Sequence, residues 1–289
     1  MAANVGPDRI DVAYERFGDP QAPPVLLIMG GGAQMITWPE AFCAALVERG
    51  LQPIRFDNRD TGRSTHFPGG PEPDLRAALA GDHSSASYSL SDMAADTIGL
   101  LDALGFAGAH LVGASLGGMV AQTAAIEHPS RVRTLTSMMS TTGDPTVGQA
   151  DFAALAGIGA PPWDDRRAYV EWQLAALRTI GSPKYPLDEA AAAERAGRAW
   201  DRDHDPLGML RQSVAVLKSG DRTAALHALR VPTLVIHGAG DRMCDVSGGR
   251  ATAAAIPGAE LVLYDGMGHG FPPPLLTDFA DRIARLAGP

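Results

Sequence analysis

Short apolar runs and amphipathic stretches take turns along most of this chain. Ile10, Val12 and Tyr14 alternate with polar residues, the period of a half-exposed strand at a sheet edge. Val25-Leu26-Leu27-Ile28-Met29 is apolar without a break, as in a strand buried on both faces, and stops at Gly30-Gly31-Gly32. A helical pattern over about 39–49 ends at Gly50, and Pro53–Asp57 reads as the next strand. Gly, Pro, Ser and Asp crowd residues 58–90, which predicts loop, with Ser91 as the N-cap of a helix over 92–104. Strands at 109–113 and 132–136 enclose a helix over 116–128.

Beyond Ser140 the alternation lapses. Residues 141–218 hold Ala-rich, Trp-bearing helical stretches broken by Pro161-Pro162, Pro183, Pro186 and Pro206. This predicts a helical cap inserted into a core built from 1–140 and 219–289. Alternation resumes with a strand at 233–237, a helix near 247–256, a strand at 260–264 and a last helix after Pro272–Pro274. Strands separated by helices predict an α/β fold: a mostly parallel sheet covered on both faces, with ligands at the C-terminal ends of its strands.

Composition narrows the partners. The 289 residues are 45% hydrophobic and 20% charged, an ordinary globular balance, and the net charge of −9 comes with 24 thinly scattered basic residues. No Lys/Arg run makes the electrostatic footprint that nucleic acid requires. No stretch approaches the ~18 apolar residues that cross a bilayer, and residues 1–20 lack the apolar core of a signal peptide, so the expected location is the cytoplasm and no membrane partner is expected. Cys43 and Cys244 stand far apart and outside any Cys/His cluster, the pattern of buried free thiols rather than of a disulfide or a metal site. Composition carries no signal for oligomeric state.

The chemistry gathers at strand ends. Gly113-Ala114-Ser115-Leu116-Gly117 lies between a predicted strand and a predicted helix, the context that separates a nucleophile elbow from a chance match. Tight packing or a phosphate cradle would also suit a Gly-rich turn, but the partners a serine needs are present. A serine hydroxyl needs a base within reach, itself oriented by an acid. The last strand runs into Asp265-Gly266-Met267-Gly268-His269, which makes His269 the candidate base, and the 233–237 strand runs into Gly238-Ala239-Gly240-Asp241, which makes Asp241 the candidate acid. Asp245 is its rival, with a helix N-cap as the alternative role. A tetrahedral oxyanion needs two preorganised donors. The candidates are the N–H groups of Leu116 and of Gly31, with Gly32 as the alternative to Gly31 and a residue against the substrate. No G-x-G-x-x-G opens a helix after the three glycines, so a nicotinamide is not expected, and no other cofactor is indicated.

These motifs resemble the α/β-hydrolase superfamily over nearly the whole chain outside the cap. Asp57-Asn58-Arg59-Asp60-Thr61-Gly62-Arg63-Ser64 looks like that family's strand-and-loop signature Asp-x-Arg-Gly-x-Gly-x-Ser, with Asp57 and Arg59 expected to brace loops rather than react. Met29 stands where a His often precedes the oxyanion glycine, and with the 59–64 segment this looks most like the aclacinomycin methylesterase-like branch, whose members hydrolyse methyl esters of polyketides. The resemblance implies an eight-stranded type of sheet and a serine esterase acting on a small to medium, fairly apolar ester. Methyl esters and lactones fall within it. Trp163, Tyr169, Trp172, Trp200, Met209 and Leu210 of the cap are candidates to line an apolar pocket, with packing of cap helices as the alternative.

The rivals share the fold. Ser115 at the elbow argues against relatives that place Asp there, such as haloalkane dehalogenases. Lys184 and Lys218 are the chain's lysines, which offers a hydroxynitrile lyase little. Cofactor-free haloperoxidase or perhydrolase chemistry and C–C bond hydrolysis would use the same three residues. A ligand receptor on this fold would not need the complete set.

Overall fold

The computed structural model describes residues 1–67 and 69–288. Nine strands are found among them: β1 (Ala2–Val5), β2 (Ile10–Val12), β3 (Tyr14–Arg16), β4 (Pro24–Ile28), β5 (Gln52–Phe56), β6 (Ala109–Ala114), β7 (Val132–Met138), β8 (Thr233–Gly238) and β9 (Glu260–Tyr264). The last seven form one sheet in the order β3-β5-β4-β6-β7-β8-β9, with β3 antiparallel to β5 and every other pair parallel. The central strands β4 and β6 are buried at every position, which is why β4 reads as an unbroken apolar run and β6 as one interrupted by His110, whose Nδ1 meets Thr134 Oγ1 at 2.9 Å.

Helices cover both faces. On one side α1 (Glu40–Val47) packs with α11 (Leu276–Ala287) over a core containing Trp38, Phe42, Met138 and Phe279. On the other, α3 (Leu90–Ala103) packs with α4 (Leu116–Glu127) over a core containing Leu26, Ile28, Leu111 and Val120, and α10 (Val246–Ala255) lies against β8 and β9. A short α2 (Leu75–Leu79) breaks the predicted 58–90 loop, capped by Asp74, which accepts from Ala77 N–H at 2.8 Å. Between β7 and β8 the chain is helical: α5 (Phe152–Leu155), α6 (Arg166–Ile180), α7 (Glu189–Arg202), α8 (Gly208–Ser219) and α9 (Thr223–Leu226).

Three expectations need correction. The sheet has seven strands rather than eight, and of the single edge strand expected at Ile10–Tyr14 the part Tyr14–Arg16 joins it while Ile10–Val12 pairs with Ala2–Val5 in a separate antiparallel ribbon. The break falls at Ala13, whose N–H goes to the Ser64 hydroxyl (3.0 Å) while its carbonyl accepts from Asp57 N–H (2.9 Å). The cap of α3 is Ser89, not Ser91: Asp92 returns a carboxylate oxygen to Ser89 N–H at 2.7 Å, a reciprocal box, while Ser91 donates to Glu127.

Candidate active site

Ser115 stands at the junction of β6 and α4 with φ 55° and ψ −122°, a left-handed backbone that L-residues avoid. Such a position costs ~1–3 kcal/mol and persists only where the surroundings over-determine it. Here they do. A Cβ on Gly113 would lie 2.1 Å from Gly117 O, one on Gly117 2.0 Å from Ile28 O, and one on Gly118 2.6 Å from Ser140 Cβ. The glycines of the motif are there because backbone from two strands and a helix converges on the turn. Ser115 N–H donates to Met138 O (2.9 Å), and the Ser140 hydroxyl donates to Ser115 O (2.8 Å), which ties the elbow to β7.

Asp241 and His269 are brought together from the ends of β8 and β9. His269 Nδ1 is 2.8 Å from Asp241 Oδ2, while Oδ1 accepts from Met243 N–H and Cys244 N–H, each at 2.9 Å. Buried His237 directs its Nε2 to Cys244 O at 2.8 Å and brings the same nitrogen to 3.5 Å from Oδ2. Burial alone would push the Asp241 carboxyl up, but these hydrogen bonds from His237, His269 and the Cys244 amide outweigh it and hold it well below the usual carboxylate range. An ionised Asp241 makes Nδ1 the donor and leaves the lone pair on Nε2. The His269 loop is pinned from the inserted helices: His269 N–H donates to Ile180 O (2.8 Å) and Gly268 N–H to the Ser182 hydroxyl (2.9 Å). Asp245 takes the alternative role named for it, capping α10 through Ser247 N–H at 2.9 Å. No hydrogen bond joins His269 to Ser115 among the described residues, and Ser115 Oγ has no partner there.

Gly30–Ala33 forms a tight turn closed by Ala33 N–H to Gly30 O (3.2 Å), with Gly32 at φ 65°. A Cβ on Gly30 would stand 3.1 Å from Ser115 Cβ, and one on Gly31 would stand 3.6 Å from Leu116 Cδ1, so the turn lies directly against the elbow. Leu116 N–H opens α4, where the first amides of a helix have no intrahelical acceptor and carry its positive end. Gly32 N–H, the alternative donor, is already taken by Gln212 Oε1 at 2.8 Å.

The inserted helices place the remaining candidates unevenly. Met209 packs on Gly32, where a Cβ would meet its side chain at 3.0 Å. Trp163, Trp172 and Trp200 gather around buried Tyr169, with ring centroids 5.3, 6.0 and 5.1 Å from it. Lys184 is paired with Asp265. Both cysteines are buried and free.

Several polar residues join this region together, among them Gln34, Arg202, Asp205, Arg211 and Gln212, which no sequence motif singles out. Asp57 accepts from Met35 N–H (2.7 Å) and Arg63 N–H (3.0 Å) and pairs with Arg202 of α7. Arg211 of α8 forks Asp60 with two contacts of 2.9 Å and reaches Asp205 at 2.6 Å. Gln34 Nε2 donates to Ala199 O and Asp203 O at 2.7 and 3.1 Å. The available signal was Arg211-Gln212 set among the buried Val214 and Ala215 of one helix, a polar pair on an inward face. Arg59 forks buried Asp96 at 2.6 and 2.8 Å, bracing the loop after β5 as expected.

The chain is similar to known hydrolases over most of its length. It is 28% identical to the rhodomycin D methylesterase DnrP of Streptomyces peucetius over 288 residues, covering 92% of this chain and 91% of that protein. It is 33% identical to a putative carbamate hydrolase, RutD, of Variovorax paradoxus over 230 residues, covering 77% of this chain and 75% of that one. Among solved structures, a hydrolase from Pseudomonas aeruginosa PA01 superposes with a TM-score of 0.69 at 27% identity, covering 99% of this chain and 95% of that one. The family model described as alpha/beta hydrolase fold matches residues 23–272, and with the elbow and the parallel sheet in place the chain belongs to the α/β-hydrolase fold family.

Proposed function

We propose that this carboxylesterase-type hydrolase cleaves a small to medium, fairly apolar ester, a methyl ester among the candidates, through an acyl-enzyme on Ser115. The observation that carries the reading is the Ser115 backbone at the end of β6: its φ of 55° and ψ of −122° hold a non-glycine residue in a costly conformation at a strand-to-helix turn, and the next residue's N–H opens a helix. The 28% identity to a methylesterase over 92% of the chain supports the ester class.

In the proposed chemistry Ser115 Oγ attacks the ester carbon as its proton passes to His269 Nε2. Asp241 holds the imidazole in that tautomer and stabilises the cation that forms. The anionic oxygen of the tetrahedral intermediate takes hydrogen bonds from Leu116 N–H and Gly31 N–H. On collapse the C–O bond to the alcohol breaks and His269 returns the proton to the departing oxygen. Water then attacks the acyl-enzyme, again through His269, and releases the acid and Ser115. The Nε2 to Oγ contact is the one that substrate binding has to complete, since apo catalytic hydrogen bonds often tighten only in the complex. Residues 141–218 serve as the cap in this reading, with Met209 at the substrate edge of Gly32 and Trp163, Trp172 and Trp200 shaping the wall from the Tyr169 cluster.

A fluorophosphonate probe should label Ser115 in wild-type protein and leave Ser115→Ala unlabelled. Well-folded protein that resists the probe would sink the reading. A panel of p-nitrophenyl esters of increasing chain length, set beside methyl esters of the same acids, then ranks the substrate classes.

A further inference from the structure

We infer that Gln212 of α8 is a positioning residue for the oxyanion-binding turn, so that the seating of the inserted helices and the aim of the Gly31 N–H are one structural event. The inference rests on the hydrolase reading above. Gly30-Gly31-Gly32 is three glycines in a row, the stretch of backbone that loses most freedom on folding, and an oxyanion donor is useful only if it is held before the charge appears. Among the described residues, the side chain that binds an amide of this stretch is Gln212, whose Oε1 accepts from Gly32 N–H at 2.8 Å. That hydrogen bond sets the plane of the Gly31–Gly32 peptide and thereby one of the two torsions of Gly31.

The carboxamide is itself fully determined. Gln212 is 0% exposed, and its Nε2 donates to Arg59 O at 2.7 Å and to Thr61 Oγ1 at 2.8 Å. Turned over, it would set an NH2 against Gly32 N–H and an oxygen against the Arg59 carbonyl, so the network admits one orientation. A Cβ on Gly31 would lie 3.8 Å from Gln212 Oε1 and 3.6 Å from Leu116 Cδ1, which puts the carboxamide, the turn and the residue after the nucleophile in one cluster. The adjacent Arg211 anchors α8 by its fork on Asp60, whose side chain is 0% exposed. From that anchor Gln212 carries the register of α8 to the turn. An apolar side chain would fill the same space; the hydrogen bonds are what orient a peptide.

The test is Gln212→Met, which keeps length and burial and deletes all three hydrogen bonds. Active sites are counted with the fluorophosphonate probe, so that a smaller folded fraction is not read as slower chemistry. The expected result is a kcat per titrated site about 10-fold or more below wild type with KM within about 2-fold, since an interaction made in the transition state is the one weakened. Affinity for phenylboronic acid, which forms a tetrahedral anionic adduct on serine, should fall by a similar factor. Unchanged kcat per site with unchanged boronate affinity overturns the assignment. If Gln212→Met does not fold, Thr61→Val removes one anchor of the carboxamide and should show the same split at about 3-fold; an unchanged kcat there overturns it equally. Folded wild-type protein that neither labels nor turns over esters fails the hydrolase reading itself, a distinct result.

Discussion

The C-terminal edge of the sheet and the inserted helices meet at the same site but are held by different forces. At the sheet edge, backbone packs on backbone: the Gly113, Gly117 and Gly118 positions have no room for a Cβ, and Ser115 keeps its left-handed φ because β6, β7 and α4 close around it. The inserted helices reach the core through buried charge and amides instead: Arg202 on Asp57, Arg211 on Asp60, Gln212 on Gly32. The first kind of attachment is rigid and fails on any added atom. The second tolerates changes of shape but fails when one partner of a pair is removed.

The largest expected effect lies at the sheet edge. Ser115→Ala should lower ester turnover about 10^4-fold or more, as loss of a nucleophile does, with an unchanged circular dichroism spectrum. Ser115→Gly should be as inactive yet up to ~1–2 kcal/mol more stable in urea, because glycine relieves the positive φ of 55°. No gain in stability would remove the strain argument.

Next comes the helical attachment. Arg211→Met leaves the buried Asp60 carboxylate without its fork and should cost about 3–5 kcal/mol by denaturant unfolding. Asp60→Asn added to it should recover part of that loss, and strict additivity of the two would break the claim that they act as a pair. Gly117→Ala should cost about 3 kcal/mol, because its Cβ would sit 2.0 Å from a β4 carbonyl that cannot move alone.

The pH dependence gives a smaller and more selective test. The Asp241 carboxyl is depressed in the folded state, so between the unfolded value of about 4 and the lower folded one the unfolded chain binds a proton that the native chain does not. Stability from this group is therefore complete above about pH 4 and is lost as the pH falls through the folded value. Asp241→Asn should flatten that acid limb in urea titrations, and a slope equal to wild type would assign acid unfolding to other carboxylates. The smallest effect belongs to the aromatic cluster. Trp200→Phe should shift preference along the ester chain-length series by about 3-fold or less, because Tyr169 keeps its other stacking partners Trp163 and Trp172.

Legibility followed the range of the forces. Strands β4, β6 and β8 were readable because a strand buried on both faces writes its environment as a largely apolar run, and the half-buried edge strand β9 was readable from its own apolar run Leu261–Tyr264. The elbow was readable because its glycines answer a local clash between residues close in sequence, Gly113 against Gly117. The Ser89 cap was missed for a local reason: Ser91 also precedes the helical pattern, and the reciprocal partner of Ser89, Asp92, decides between them. The departure of β2 from the sheet was missed for a distant one, the hydroxyl of Ser64 competing for Ala13 N–H across 51 residues.

Sequence alone therefore determined the α/β alternation, the helical character of residues 141–218 and the order of Ser115, Asp241 and His269 at strand ends. These follow from periodicity and from steric demands within a few residues. Tertiary structure decided what depends on partners far apart in the chain: that His269 meets Asp241 at 2.8 Å while Asp245 caps a helix, that three of the tryptophans surround Tyr169, and that Gln212 binds an amide 180 residues away. A hydrogen bond has no sequence period, so a buried amide on a helix announces that a partner exists without naming it.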